Sequence, residues 1–172
     1  MATIWRDSDI LDYGSHASIR VTKHERFPIL KLAHLDDLSI KLIQHEFSIL
    51  AKLADLGLPV VEFDQQPILD DGVVCGYRMQ MLSKLTLPEL RSRRNDIKQT
   101  MDQSHAAGFS HGDISPSNIL MDHRGRIIFI DLSFAGQLGT AVPSYFPRWV
   151  YTNCEYSVDP DLKAFGRYID QK

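Results

Sequence analysis

His111-Gly112-Asp113-Ile114-Ser115-Pro116-Ser117-Asn118-Ile119-Leu120 is followed, thirteen residues after its Asn, by Ile130-Asp131-Leu132-Ser133. Together the two stretches set two carboxylates and one carboxamide at a spacing suited to holding the magnesium of a bound ATP and orienting an attacking hydroxyl. A single Asp after an apolar strand is most often a turn or cap residue. Turn chemistry alone rarely produces His, Asp and Asn at these offsets together with a strand-borne Asp, so the joint pattern points to phosphoryl transfer. Asp113 is the candidate to accept the acceptor's proton or hold its hydroxyl in line. Asn118 offers a side-chain oxygen to magnesium, and Asp131 the main carboxylate. His111 is expected to brace the loop from beneath. A metal cluster of His105, His111 and His123 would be a competing use, but their spacing matches no zinc pattern.

Working outward, Gly108 ends a helix read over residues 88–105, directly before the motif. Short strands at 119–121 and 127–130 flank the turn Asp122-His123-Arg124-Gly125, so the motif lies on loops between a helix and a hairpin. Upstream, strands are predicted at 19–22 and 27–32, with Gly14 in a turn before them. From Asp36 or Asp37, apolar positions Leu38, Leu42, Ile43, Ile49, Leu50 and Leu53 follow helical spacing until Gly57. Residues 60–63, 67–69 and 73–82 read as further strands, with Asp70-Asp71-Gly72 as a hairpin turn.

Lys31 falls inside the apolar run Phe27-Pro28-Ile29-Leu30-Lys31-Leu32, where an unpaired ammonium would be costly. Glu46 lies on the Leu42, Ile49, Leu53 stripe of the following helix and is the candidate partner. The plainer alternative has Lys31 snorkelling from an edge strand and Glu46 at the border of the stripe.

The chain has 172 residues, 44% of them apolar and 24% charged, the balance of a globular protein. No apolar run is long enough to span a membrane. The start of the chain, Met1-Ala2-Thr3-Ile4-Trp5-Arg6-Asp7, lacks the order of a secretory signal, and Cys75 and Cys154 form no motif, so an intracellular, cytoplasmic location is expected. A formal charge of -3 leaves no basic footprint for nucleic acid, and Arg91, Arg93 and Arg94 read as a solvated helix face.

These residues resemble the protein-kinase-like superfamily over nearly the whole chain. The resemblance implies an α+β, two-lobed fold: a small antiparallel-sheet lobe with one helix and the hinge, about residues 1–82, and a truncated, mainly helical lobe, about 83–172. It implies ATP and Mg2+ as ligands. Lys31 matches the phosphate-binding strand lysine, Glu46 its helix partner, Asp113 the catalytic-loop base, Asn118 and Asp131 the metal ligands. Met79, Gln80, Met81 and Leu82 resemble the hinge that receives adenine, with Met79 as gatekeeper. Residues 139–147 resemble the end of an activation segment, and Asp161 the helix-borne Asp that anchors the catalytic loop.

The sequence departs from the common pattern at several positions. Gly14 is the one glycine where several usually cover the phosphates. Gly112 replaces an arginine that binds a phosphorylated activation loop, Ser115 a lysine, and Ser133 a glycine. The His-Gly-Asp form also resembles aminoglycoside and choline phosphotransferases. The expected activity is a serine/threonine protein kinase. A small-molecule kinase and a nucleotide-binding pseudokinase are the alternatives, the last opposed by the presence of all five site residues. Leu162, Phe165 and Ile169 are expected to face water and to offer a surface for a protein partner or self-association.

Overall fold

The computed structural model describes residues 2–170; Met1, Gln171 and Lys172 lie outside the described residues. The chain forms two compact units, one running to Ala51 and adding Val61–Met81, the other made of Lys52–Val60 and the chain from Leu82 onward.

In the first unit a short helix α1 (Ala2–Arg6) precedes β1 (Asp9–Tyr13), β2 (Ala17–Val21) and β3 (Ile29–Ala33). Helix α2 (Asp37–Asp55) follows, then β4 (Ile68–Asp70) and β5 (Val73–Met79). The five strands make one antiparallel sheet in the order β1-β2-β3-β5-β4. With α2, this is the sheet-plus-helix unit that the sequence implies. Strand β3 is buried at every position because both its faces are covered. On one face Leu30 and Leu32 cluster with Ile68 and Cys75 under Ile4, Trp5 and Ile40. Arg20 ties α1 to β2: its guanidinium donates to Ser8 Oγ, Ser8 O and Trp5 O at 2.7, 2.7 and 3.0 Å. Asp36 caps α2, accepting the Ser39 N–H at 2.9 Å, and Gly57 turns away beyond its end with φ +71°.

The second unit carries β6 (Ser83–Lys84), α3 (Leu87–Ser92), α4 (Arg94–Ala106), β7 (Phe109–Ser110), β8 (Ile119–Met121) and β9 (Ile127–Phe129). It is completed by β10 (Gly136–Gln137) and α5 (Asp159–Tyr168). Strands β6, β8 and β9 form one small sheet, β7 and β10 another. Leu90, Ile97, Met101, Ile114, Ile119, Ile127, Phe129 and Ile169 make its core. The turn between β8 and β9 closes on Asp122, whose carboxylate accepts the Arg124 and Arg126 N–H groups and the Arg126 guanidinium. Burial alone would raise the pKa of Asp122, but these donors outweigh it and hold the group below its ordinary range. No described helix is long and apolar enough to cross a membrane.

Several sequence expectations are corrected. Residues 60–62 form no strand; only Phe63 bridges to Met79, since Pro59 lacks a donor and the chain passes from one unit to the other here. Strand β1 is unheralded because all five of its residues are exposed, which erases the alternation that marks a strand. The helix over 88–105 is two helices broken at Arg93. A capping box between Thr86 and Glu89 starts the first, and the Arg93 backbone (φ −102°, ψ 18°) leaves the helical region. Arg93 is therefore only partly solvated, because its guanidinium reaches Gly125 O at 2.6 Å and Met121 Sδ at 2.7 Å on the hairpin.

Helix α5 corrects the expected apolar face. Its first inward residue is Asp161, and residues four and eight positions later, Phe165 and Ile169, fall on the same side. Ile169 is buried in the core with Phe165 packed against it, while Leu162 alone of the three is exposed, at 45%. Ile169→Ala is therefore expected to lose about 2–5 kcal/mol in urea unfolding, and Leu162→Ser less than about 0.5 kcal/mol. Equal small effects would contradict this packing.

Candidate functional site

In the first unit, pairing of β3 with β5 sets Lys31 beside Tyr77. Both meet one carboxylate on α2. Lys31 Nζ lies 2.8 Å from Glu46 Oε1 and 2.7 Å from Oε2, and Tyr77 donates its hydroxyl to Oε1 at 3.0 Å. Glu46 is 1% exposed and Lys31 7%. Two buried charges survive here because each finds its partner and the carboxylate gains a neutral donor as well. Lys31 is thus no snorkelling edge residue. Tyr77 is a member of the constellation that sequence reading misses, since only the register of β3 on β5 brings it there.

The other predicted positions of this unit are simpler. Gly14 turns the chain from β1 to β2, donating its N–H to Ala17 O at 2.9 Å. Beside it Tyr13 stacks on His34 with ring centroids 4.7 Å apart. Met79 is buried at the end of β5, and the Gln80 N–H is committed to Glu62 O at 2.9 Å. Met81 is half exposed and Leu82, the first residue of the second unit's main portion, is partly buried.

In the second unit the motif loop leaves β7 and is suspended from α5. Asp161, 1% exposed, accepts the His111 N–H on Oδ2 and the Gly112 N–H on Oδ1, both at 2.8 Å. His105, from the last turn of α4, adds a contact to Oδ2 at 2.9 Å. The His111 ring then braces the loop, as expected. Its Nδ1 accepts the Asp113 N–H at 3.2 Å, so the ring proton sits on Nε2 and is donated to Ile130 O at 3.0 Å. Ile130 is held on its other side too, its N–H donating to Asn118 O at 3.0 Å. The β8–β9 ladder is thereby extended by one rung, and Asn118 faces the residue before Asp131.

Asn118, nearly buried on the single turn after Pro116, donates its amide to Asp113 O at 2.9 Å and to Asp113 Oδ2 at 3.1 Å. Both partners accept only, which assigns the amide nitrogen and leaves Oδ1 uncommitted among the described residues. Asp131 takes a left-handed conformation, φ 62° and ψ 62°, uncommon for a side-chain-bearing residue and most tolerable for Asp and Asn. Ser133 donates its hydroxyl to Asp131 Oδ1 at 2.8 Å. The structure thus joins Asp113 to Asn118 and sets Asn118 opposite the residue before Asp131 in the second unit, and it pairs Lys31 with Glu46 in the first.

The oxygen donors of Asp131 and Asn118 fit magnesium, a hard cation that keeps few protein ligands and fills its remaining positions with phosphate and water. Among the described residues no group of three or more His, Cys, Asp and Glu side chains is placed to hold a metal. His105, His111 and His123 are used separately: His105 on α4 meets Asp161, His111 braces the loop, and His123 lies beside Arg124 on the hairpin turn.

Removing one partner of the Lys31–Glu46 pair leaves a buried charge without its counterion. Glu46→Ala is expected to lower stability by about 3–5 kcal/mol, with Glu46→Gln, which keeps an acceptor for Lys31 and Tyr77, losing less. Chemical unfolding of the two variants checks the order. Equal losses would show that the retained acceptor contributes nothing and that the lost charge carries the whole effect.

One stretch of the chain is 29% identical over 77 residues to a Drosophila melanogaster protein, the cGMP-dependent protein kinase, isozyme 1. That match covers 43% of this chain and 10% of the fly protein. The family description "RIO domain" matches residues 11–140, which include the lysine strand, the α2 carboxylate, the motif loop and Asp131. The chain belongs to the RIO domain family, a protein-kinase-like family of atypical kinases.

Proposed function

We propose that this protein transfers the γ-phosphate of ATP to a serine or threonine hydroxyl of a protein, with residues 1–82 and 83–172 acting as the two lobes of one catalytic domain. The observation that carries the reading is the hydrogen-bonded set formed by Asp113 and Asn118, with Asn118 paired to the residue before Asp131. Membership of the RIO domain family supports the ATP-dependent kinase class. The aromatic packing of the stretch around Phe146 supports a protein acceptor, since an ordered segment there offers a surface that a small hydroxyl compound does not need.

In this reaction the acceptor oxygen forms a bond to the γ-phosphorus while the bond from that phosphorus to the β,γ-bridging oxygen breaks. The hydroxyl proton passes to the Asp113 carboxylate and then to solvent. Asn118 holds Asp113 in place, and its Oδ1 together with the Asp131 carboxylate would hold magnesium. Magnesium, when bound, neutralises charge on the phosphate oxygens. Lys31, oriented by Glu46, is the cation that the kinase resemblance assigns to the phosphates of ATP. Ser115 cannot supply the charge of the lysine more usual at its position.

The test is transfer from labelled ATP with Mg2+ to a serine- and threonine-containing peptide library, with kanamycin and choline as small-molecule acceptors. Asp113→Ala is expected to lower transfer by about 10²–10⁴-fold. Equal transfer by wild type and variant would take Asp113 out of the mechanism. Labelling of kanamycin or choline without labelling of peptide would move the acceptor to a small molecule, and ATP binding without any transfer would leave a pseudokinase.

A further inference from the structure

Two tyrosines from the chain beyond β10 fill space that two glycines leave open. Tyr151 is 3% exposed; its hydroxyl donates to Phe134 O at 3.0 Å and lies 2.7 Å from Ser110 Oγ. A phenol has one proton, so Ser110 must be the donor in the second bond. A Cβ on Gly112 would lie 2.5 Å from the Tyr151 hydroxyl oxygen and 2.7 Å from Phe134 O, and the Gly112 φ of +80° is itself one that side-chain-bearing residues rarely adopt. Gly136 repeats the fit, because a Cβ there would run into the Tyr156 ring.

The two phenols belong to one aromatic block. Tyr151 meets Tyr156 edge to face at 5.0 Å, Tyr156 meets Phe146 at 6.2 Å, and Phe146 meets Phe134 at 5.3 Å. The block therefore closes on the residue whose carbonyl Tyr151 holds. Phe134 stands three positions after Asp131, Gly112 one before Asp113, so a single hydroxyl abuts the backbone of both loops. Nothing larger than glycine fits at 112 while Tyr151 is seated, which accounts for the missing arginine there.

We propose that Tyr151 is a positioning residue whose hydroxyl, seated at Gly112 and bonded to Ser110 and Phe134, locks the segment of residues 139–156 onto the loops that carry Asp113 and Asp131, with no phosphate required. This rests on the phosphotransferase reading for its catalytic consequence, though not for the lock itself. Burial pushes the Tyr151 phenol above its ordinary range, so it remains a donor throughout the working pH range.

Tyr151→Phe removes one oxygen and keeps the ring. Hydrogen exchange read by mass spectrometry on the full chain, together with kcat and KM, tests the lock. Exchange in the 110–118 peptide is expected to rise about tenfold, with kcat falling about tenfold and KM for ATP staying within about twofold. The unfolding temperature should remain near that of wild type. Ser110→Ala, which leaves the bond to Phe134 O intact, should move exchange and kcat the same way by less, and it carries the test if Tyr151→Phe does not fold. Unchanged exchange, or faster exchange with unchanged kcat, overturns the proposal in whichever variant folds. Faster exchange in the variant of a wild-type protein that transfers no phosphate supports the lock and removes the phosphotransfer reading instead.

Discussion

The buried carboxylate of Asp161 is the contact on which the second unit depends. Sequestering it would be costly without partners, and it has three: the amides of His111 and Gly112 and the ring of His105. From that point hydrogen bonds run in a closed circuit. His111 holds the Asp113 amide and the Ile130 carbonyl, Ile130 holds Asn118, and Asn118 returns to Asp113. A closed circuit of hydrogen bonds has few alternative arrangements, which fixes the loop that carries Asp113. The same contact sets the rotation of α5 and so decides that Ile169, and not Leu162, enters the core.

A second buried carboxylate organises the first unit. Glu46 meets Lys31 and Tyr77, which β3 and β5 place side by side. Each unit is thus arranged about one sequestered acid whose donors come from elements distant in sequence.

Much of this was legible in advance, for physical reasons that differ from residue to residue. A lysine in an apolar run and a glutamate on an apolar helix stripe are each improbable alone, and the mutual need of two buried charges joined them. The loop's internal hydrogen bonds were legible from offsets alone, because His111, Asp113 and Asn118 stand within a few positions of one another. Helix α2 and the Asp71-Gly72 turn, where both residues have positive φ, follow strong local rules. What escaped sequence reading depends on tertiary placement. Tyr77 joins through strand register, Arg93 breaks a helix to reach a hairpin, and β1 hides because its apolar Ile10 and Leu11 are both exposed. Tyr151 gave no signal, since its importance lies in the empty space at Gly112.

The departures from the common kinase pattern have structural answers in Gly112, occupied by a phenol, and Ser133, whose hydroxyl bonds the carboxylate of Asp131. They modify how the site is held without removing its oxygen donors. The central claim is that those donors receive magnesium-bound ATP. Calorimetric titration with ATP, in magnesium and in a chelator, tests it on wild type and on Asp131→Ala. The account predicts that magnesium tightens ATP binding to wild type and no longer does so in the variant, with metal-free binding alike in both; an equal gain from magnesium in the two proteins would contradict it.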